Sequence, residues 1–241
     1  MRHREETTTE TPSVALIVPG AGEGTRLGLG IPKALVPVGG VPMIRRTLAR
    51  FARCADVSEV VVTAPAAYVE RFTEVLEEAS ATTQGGPVPA RVIAGGATRQ
   101  QSVAIGLAAI TSAPALVCVH DAARALVSHD TICAVIAAGA RSGAATAASR
   151  PTDSVREQLE SGGSRALDRA SLWMVETPQV FARILLEEAH RLARARGLDA
   201  TDDATLVEQM CGADVVIVPS DGPNMKVTTR ADLDLVALLC R

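Results

Sequence analysis

Two periods of apolar positions take turns along this chain. Short apolar runs with β-branched residues, "SVALIV" at 13–18 and "SEVVVTAP" at 58–65, predict buried strands. "ARVIAGG" (90–96), "ALVCVHDAAR" (115–124), "AATAASR" (144–150) and "DVVIVPS" (214–220) extend the series. Between them, apolar residues recur at helical spacing in "VPMIRRTLARFARC" (41–54), "AYVERFTEVLEEAS" (67–80), "DTICAVIAAGARSG" (130–143) and "VFARILLEEAHRLARARG" (180–197). Thr98 is placed to cap another helix reaching about Ile110, a helix follows "TDDA", and a last one lies near 229–240. "TTQGGPVP" (82–89) reads as a loop.

Strand–helix alternation of this kind predicts an α/β protein, a Rossmann-like three-layer α/β/α domain with a mostly parallel central sheet. Ligands of such sheets bind beyond the carboxyl ends of the strands. The glycines after residue 18, "AGG" at 94–96 and "HDAAR" at 120–124 all stand at such ends, which should bring three polar or glycine-rich stretches to one edge. The alternation breaks after Pro151, where "ESGGS" (160–164) separates two short segments able to pair as a hairpin. A protruding β-arm at 152–172 is expected, marginal alone and in need of something to pack on. With no internal repeat or dividing linker, residues 13–241 are read as one domain behind a polar, disordered tail at 1–12.

Composition narrows the functions available. With 241 residues, 47% hydrophobic and 21% charged, the chain has material for a sizeable core and a soluble surface. A net charge of −3 supplies no basic field for nucleic acid or an anionic membrane, and 2% aromatics leave little to stack bases on. The tail lacks an apolar signal core, and no apolar stretch approaches bilayer length, so a cytoplasmic protein is expected. The five cysteines are scattered without a CxxC pair, and the four histidines lack ligand spacing. They read as reduced, mostly buried thiols and not as a disulfide frame or a zinc site.

The densest chemistry lies in "VPGAGEGTRLGLGIPKAL" at 18–35. A dinucleotide fingerprint starting at Gly20 needs glycine where Thr25 stands, and no Gly-Lys-Ser/Thr follows for a P-loop. Two readings remain open: an anion nest with Arg26 and Lys33 as its cations, or a glycine turn with two solvated charges.

"PGAGEGTRL…PKAL" resembles the opening signature of sugar-nucleotide pyrophosphorylases and cytidylyltransferases. "GGATRQQSV" (95–103), "HDAAR", "TDS" (152–154), "LDRASLW" (167–173), "TPQVF" (177–181), "TDDATLVE" (201–208) and "NMKVTT" (224–229) follow in order. Their order and spacing are similar to the 2-C-methyl-D-erythritol 4-phosphate cytidylyltransferase family over residues 14–240. That resemblance implies transfer of a cytidylyl group from CTP to the alcohol phosphate, with release of pyrophosphate. It assigns transition-state stabilisation to Arg26 and Lys33, a triphosphate cradle to Ala21, Gly22 and Gly24, and cytosine recognition to Gly96 and Ser102. Asp121 and Ala122 fall on the CTP side, with Asp121 also facing the acceptor's hydroxyls. Arg124, Ser154, Arg169, Thr177 and Lys226 fall on the alcohol-phosphate side, Arg169 and Lys226 among the charge-stabilising residues. His120 is left structural. The family's arm crosses a two-fold dimer, so a homodimer is expected, with Ser154 and Arg169 serving the partner's site. Four cations against a triphosphate and a monoester imply Mg²⁺ held mainly by the CTP phosphates, without a protein metal cage.

Three departures stand out against the family's habit: Ala97 for an Asp, Ser154 for a Thr and Arg156 for a Lys. The nearest rival is ribitol 5-phosphate cytidylyltransferase, although "HDAAR" favours the methylerythritol enzyme. More remote rivals are an NAD-binding oxidoreductase, which the spacing at Gly20–Thr25 disfavours, and a catalytically silent nucleotide-binding relative.

Overall fold

The computed structural model describes residues 12–22, 28–54, 56–80 and 90–240. The expected tail (apart from Pro12), the loop at 82–89, and Gly24 and Arg26 lie outside these described residues.

The first strand shows how the apolar runs become structure. In β1 (Val14–Pro19), Val14, Leu16 and Val18 point into one core cluster while Ala15 and Ile17 point into another. Alternate side chains leave opposite faces of a strand, and both faces here are covered, so an unbroken apolar run is what burial demands. Each fully buried Val, Leu or Ile stabilises the fold by about 1.5–3 kcal/mol.

Along the chain, β2 (Pro37–Val38) and β3 (Val41–Pro42) form a small antiparallel pair before α1 (Met43–Phe51), followed by β4 (Val57–Ala64) and α2 (Val69–Ser80). Then come β5 (Ala90–Ala94), α3 (Arg99–Ala108), β6 (Leu116–Val119), α4 (His129–Ser142) and β7 (Ala144–Ser149). The expected hairpin is present as β8 (Arg156–Gln158) paired antiparallel with β9 (Ser164–Ala166), with every residue of both strands exposed. The chain closes with β10 (Met174–Ala182), α5 (Arg183–Arg196), α6 (Asp203–Cys211), β11 (Val216–Pro219) and α7 (Arg230–Leu239).

Seven strands make the main sheet in the order β11-β7-β10-β6-β1-β4-β5. β1 pairs parallel with β4 and β6, β4 with β5, and β7 with β11, while β10 runs antiparallel between β6 and β7. One core cluster joins the sheet to residues of α1, α2 and α4, and a second joins its other face to α3, α5 and α6. The three-layer α/β/α expectation holds.

β10 corrects the reading of 180–197 as helix, since Val180–Ala182 are strand and α5 starts at Arg183. The pattern concealed it because Glu176, Thr177 and Gln179 are polar yet buried. Each finds a tertiary partner: Glu176 accepts from Ser149, Ser220 and Asn224, and Gln179 Oε1 accepts from the N–H groups of Asp203 and Ala204.

The cysteines also depart from expectation, because only Cys54 and Cys118 are buried while Cys133 is exposed. Among the described residues, no helix is long and apolar enough to cross a membrane.

Candidate active site

Three strand ends meet as the sequence predicts. Beyond β1, the Gly20 N–H donates to Thr63 O at 2.8 Å. A Cβ there would stand 3.0 Å from the Phe72 ring, so glycine lets the chain turn close over β4. Among the described residues, nothing lies within 4 Å of where a Cβ on Gly22 would stand.

Beyond β5 the turn is tighter. A Cβ on Gly95 would lie 2.8 Å from Ser102 Oγ, and one on Gly96 would lie 2.4 Å from Gln101 Cβ. Ser102, 1% exposed, accepts from the Gly96 N–H at 3.1 Å and donates to Thr98 O at 2.9 Å. Its proton is therefore committed to the turn, so Ser102 shapes this wall from within. Thr98 accepts from the Gln101 N–H as the cap of α3, whose N-terminus opens onto the same space.

Beyond β6, Asp121 sits at the centre of the charges. Arg99 Nε donates to its Oδ1 at 2.9 Å and Lys226 Nζ to its Oδ2 at 2.6 Å. Burial alone would raise the Asp121 pKa, but the Arg99 and Lys226 charges overcome it and hold the carboxyl well below the usual range. Arg99 also reaches Asp203 Oδ2 at 2.7 Å. Burial opposes its charge, yet Asp203 and Asp121 together keep the guanidinium firmly protonated.

The turn at Asp121 rests on a relay of neutral hydrogen bonds. The Asp121 N–H donates to Thr177 Oγ1 at 3.0 Å, and that hydroxyl stands 3.2 Å from His120 Nδ1. His120 Nε2 lies 3.1 Å from Arg124 O, a carbonyl that can only accept, which assigns the imidazole proton to Nε2. Its ring meets Phe51 edge-on at 5.1 Å. Desolvation outweighs the Arg124 carbonyl and pushes the His120 pKa down to about 4, so the ring is neutral at neutral pH. This is a satisfied core histidine, as the sequence reading held.

The loop at 224–228 is bound to this corner from three directions. Val227 N–H donates to Ala123 O at 2.9 Å, Arg124 Nη1 to Asn224 O at 2.6 Å, and Lys33 Nζ to Val227 O at 2.9 Å.

The resulting cleft is lined by Pro19–Gly22, Lys33, Ala34, Gly96–Arg99, Ser102, Asp121–Ala123 and Lys226. Of the expected residues, Ala21, Gly22, Lys33, Gly96, Ser102, Asp121, Ala122 and Lys226 are thus together. Thr177 lies buried beneath the cleft, and Arg124 turns behind it to hold the Lys226 loop. Ser154 and Arg169 are exposed on the arm, where Arg169 Nη1 donates to Thr152 O at 2.6 Å. Neither is among the described lining residues of this chain's own cleft.

Arg99 and Asp203 went unassigned by sequence reasoning. "GGATR" and "TDDA" were visible as motifs, but only the packing of α6 against the sheet shows one guanidinium joining both carboxylates.

Such a cleft is suited to anions. The N-terminus of α3 and the cations of Lys33, Arg99 and Lys226 surround one ion-paired carboxylate. This is the equipment of a nucleotidyltransferase, the class in which this chain falls. The family model for 2-C-methyl-D-erythritol 4-phosphate cytidylyltransferase matches residues 14–241, and the chain belongs to that family.

The family's enzyme from Deinococcus radiodurans is 42% identical over 232 residues, covering 96% of this chain and 91% of that protein. A bifunctional IspD/IspF enzyme of Clavibacter michiganensis is 40% identical over 227 residues, which is 93% of this chain but 54% of that longer protein. The crystal structure of the Thermus thermophilus enzyme, 36% identical, matches with a TM-score of 0.74 over 94% of this chain and 98% of that one. These likenesses favour the methylerythritol reading over the ribitol, dinucleotide and silent alternatives.

Proposed function

We propose that this chain joins CTP to 2-C-methyl-D-erythritol 4-phosphate, releasing pyrophosphate. An oxygen of the acceptor's phosphate monoester attacks the α-phosphorus of CTP in line, and the bond to the β-phosphate breaks. The nucleophile is already anionic, so no general base is needed, and the protein's work is to hold two anions together. The observation that carries this reading is the convergence of Lys33, Arg99 and Lys226 around the capped N-terminus of α3.

Within that cleft, Ala21 and Gly22 offer backbone to the triphosphate, with Gly24 and Arg26 continuing the same segment. Gly96 and Ala97 present the turn toward the base, with Ser102 holding it in shape. Lys33 and Lys226 place charge over the reacting phosphates, and Asp121 and Ala122 form the floor near the ribose and the acceptor. Thr177 positions Asp121, and Arg124 positions Lys226 through Asn224.

Mg²⁺, when bound, neutralises charge on the triphosphate. The donor set suits an ion held by the phosphates: Asp121 is the sole carboxylate among the described lining residues, and both its oxygens are engaged.

The arm supplies the remaining cation from a second copy of this chain. Met174 and Val175, exposed at 56% and 43% just beyond the arm, offer apolar surface for such a dimer. The arm's root is tied down by Arg150, which stacks 3.8 Å above the Trp173 ring and donates to Leu172 O.

Pyrophosphate release with CTP, Mg²⁺ and either acceptor tests the reading. The methylerythritol phosphate should be used at least about tenfold better, a difference of about 1.4 kcal/mol. Faster release with ribitol 5-phosphate would reverse the choice of acceptor, and no release with either would remove the reading altogether.

A further inference from the structure

Outside the cleft, the end of α1 faces the first turns of α4. His129 opens α4 and Cys133 follows four residues later, so their side chains share one helix face. Cys54, three residues beyond the end of α1, comes up against them. Its Sγ stands 3.7 Å from His129 Nδ1, and the Cys133 Sγ stands 3.4 Å from Nε2 and 4.0 Å from Nδ1 of the same ring. Together the three potential ligand atoms lie within 4.8 Å of one another.

These separations are close to those of a tetrahedral metal site. With Zn–S near 2.3 Å and Zn–N near 2.0 Å, sulfur and nitrogen ligands stand about 3.5 Å apart. A turn of the His129 ring with side-chain rotations of up to about 1 Å would bring all three atoms to that spacing around one ion. We propose that Cys54 Sγ, His129 Nδ1 and Cys133 Sγ form a Cys2His site for a soft divalent cation, Zn²⁺ above all, with water as the fourth ligand.

Three further observations fit. Cys54 is buried and Cys133 exposed, so the site is closed on the protein side and open for entry on the other. The Asp56 carboxylate lies near enough to act on both sulfurs, adding negative charge that favours a dication. Two thiolates and an imidazole select Zn²⁺ over Mg²⁺, which keeps this site distinct from any ion bound to CTP.

The position gives the metal structural work. Helix α1 already grips the 120–128 loop: Thr47 Oγ1 donates to Ala122 O at 2.9 Å and Arg50 Nε to Ala125 O at 3.1 Å. A bound cation would tie α1 to α4 across that loop, bracing the segment that presents Asp121. Binding only the native arrangement, it raises stability by mass action.

Metal-free, fully reduced protein titrated with Co²⁺ and then Zn²⁺ tests this. One equivalent of Co²⁺ should give thiolate-to-cobalt charge-transfer absorption and tetrahedral d–d bands, displaced by one equivalent of Zn²⁺ with a rise in Tm. Cys133→Ser, at an exposed position that leaves the core intact, should weaken binding by more than about 100-fold, because even outer-shell partners are worth 10–100-fold. His129→Gln should do the same, while Cys211→Ser should leave the titration unchanged. Unaltered bands and affinity in Cys133→Ser would overturn the site. So would reduced wild type that takes up no stoichiometric Co²⁺, whether or not Cys54 and Cys133 join in a disulfide once reductant is removed.

Discussion

The cleft and the arm are built on opposite principles. Every charged group of the described cleft is positioned by bonds within this chain: Asp121 by Arg99 and Lys226, Lys33 by Val227 O. The arm's strands are wholly exposed, and Arg169 and Ser154 lie outside the described lining of this chain's cleft. On the function proposed above, the CTP side is preorganised by one fold, whereas the acceptor side is completed by a second copy. Preorganised charge needs no rearrangement at the moment of reaction, which is where such sites gain most of their rate.

The sharpest way to break the cleft half of this contrast is Arg99→Met. It leaves Asp121 and Asp203 without their shared cation, and loss of one partner of a buried pair costs about 3–5 kcal/mol. Denaturant unfolding should show that loss, and an unchanged midpoint would mean the pairs do not organise the cleft.

Lys33→Ala comes next. Turnover should fall about 10²–10³-fold, as when one charge-stabilising contact is removed, with the fold retained in circular dichroism. An undiminished rate would put the chemistry elsewhere.

The relay behind Asp121 gives a pH signature. His120 titrates at about 4 in the fold against 6.5 when free, so the unfolded chain binds more protons between those values. Stability should therefore fall by up to about 3 kcal/mol as pH drops from 6.5 toward 4, with Asp121 adding losses only below the ordinary carboxylate range. A flat stability profile across that window would contradict the buried, neutral imidazole.

The arm half is tested by Arg169→Ala, which should raise the acceptor KM about tenfold and leave the CTP KM unchanged, a cost of about 1.4 kcal/mol. Mixing that variant with Lys33→Ala should restore part of the activity, because hybrid dimers contain one intact cleft beside one intact arm. No recovery on mixing would show that the arm does not act in trans. Smallest of all, Glu157→Gln removes an exposed ion pair with Arg165 on the hairpin and should change stability by less than about 1 kcal/mol.

The same contrast explains what could be read from residues alone. Strands such as β1 and β4, and helices with a cap such as Thr98, were legible because burial and capping act on neighbours in sequence. β10 was not, because Glu176, Thr177 and Gln179 are stabilised by residues 24 to 57 positions away. Arg99 was hidden for the same reason, its partners lying 22 and 104 residues along the chain. The cluster of Cys54, His129 and Cys133 had no signature either, since 75 residues separate its first two members.

By itself, then, the sequence determined the alternation of strands and helices, the carboxyl edge on which the polar stretches would meet, and the family. Local periodicity, capping and glycine content carry that much, since each acts over a few residues. Only the tertiary structure decided which carboxylate each cation holds, that Ser102 spends its hydroxyl on the turn, that Arg124 works from behind the cleft, and that two thiols meet an imidazole. Those outcomes depend on which distant groups are buried together, and burial removes the water that would otherwise have satisfied them.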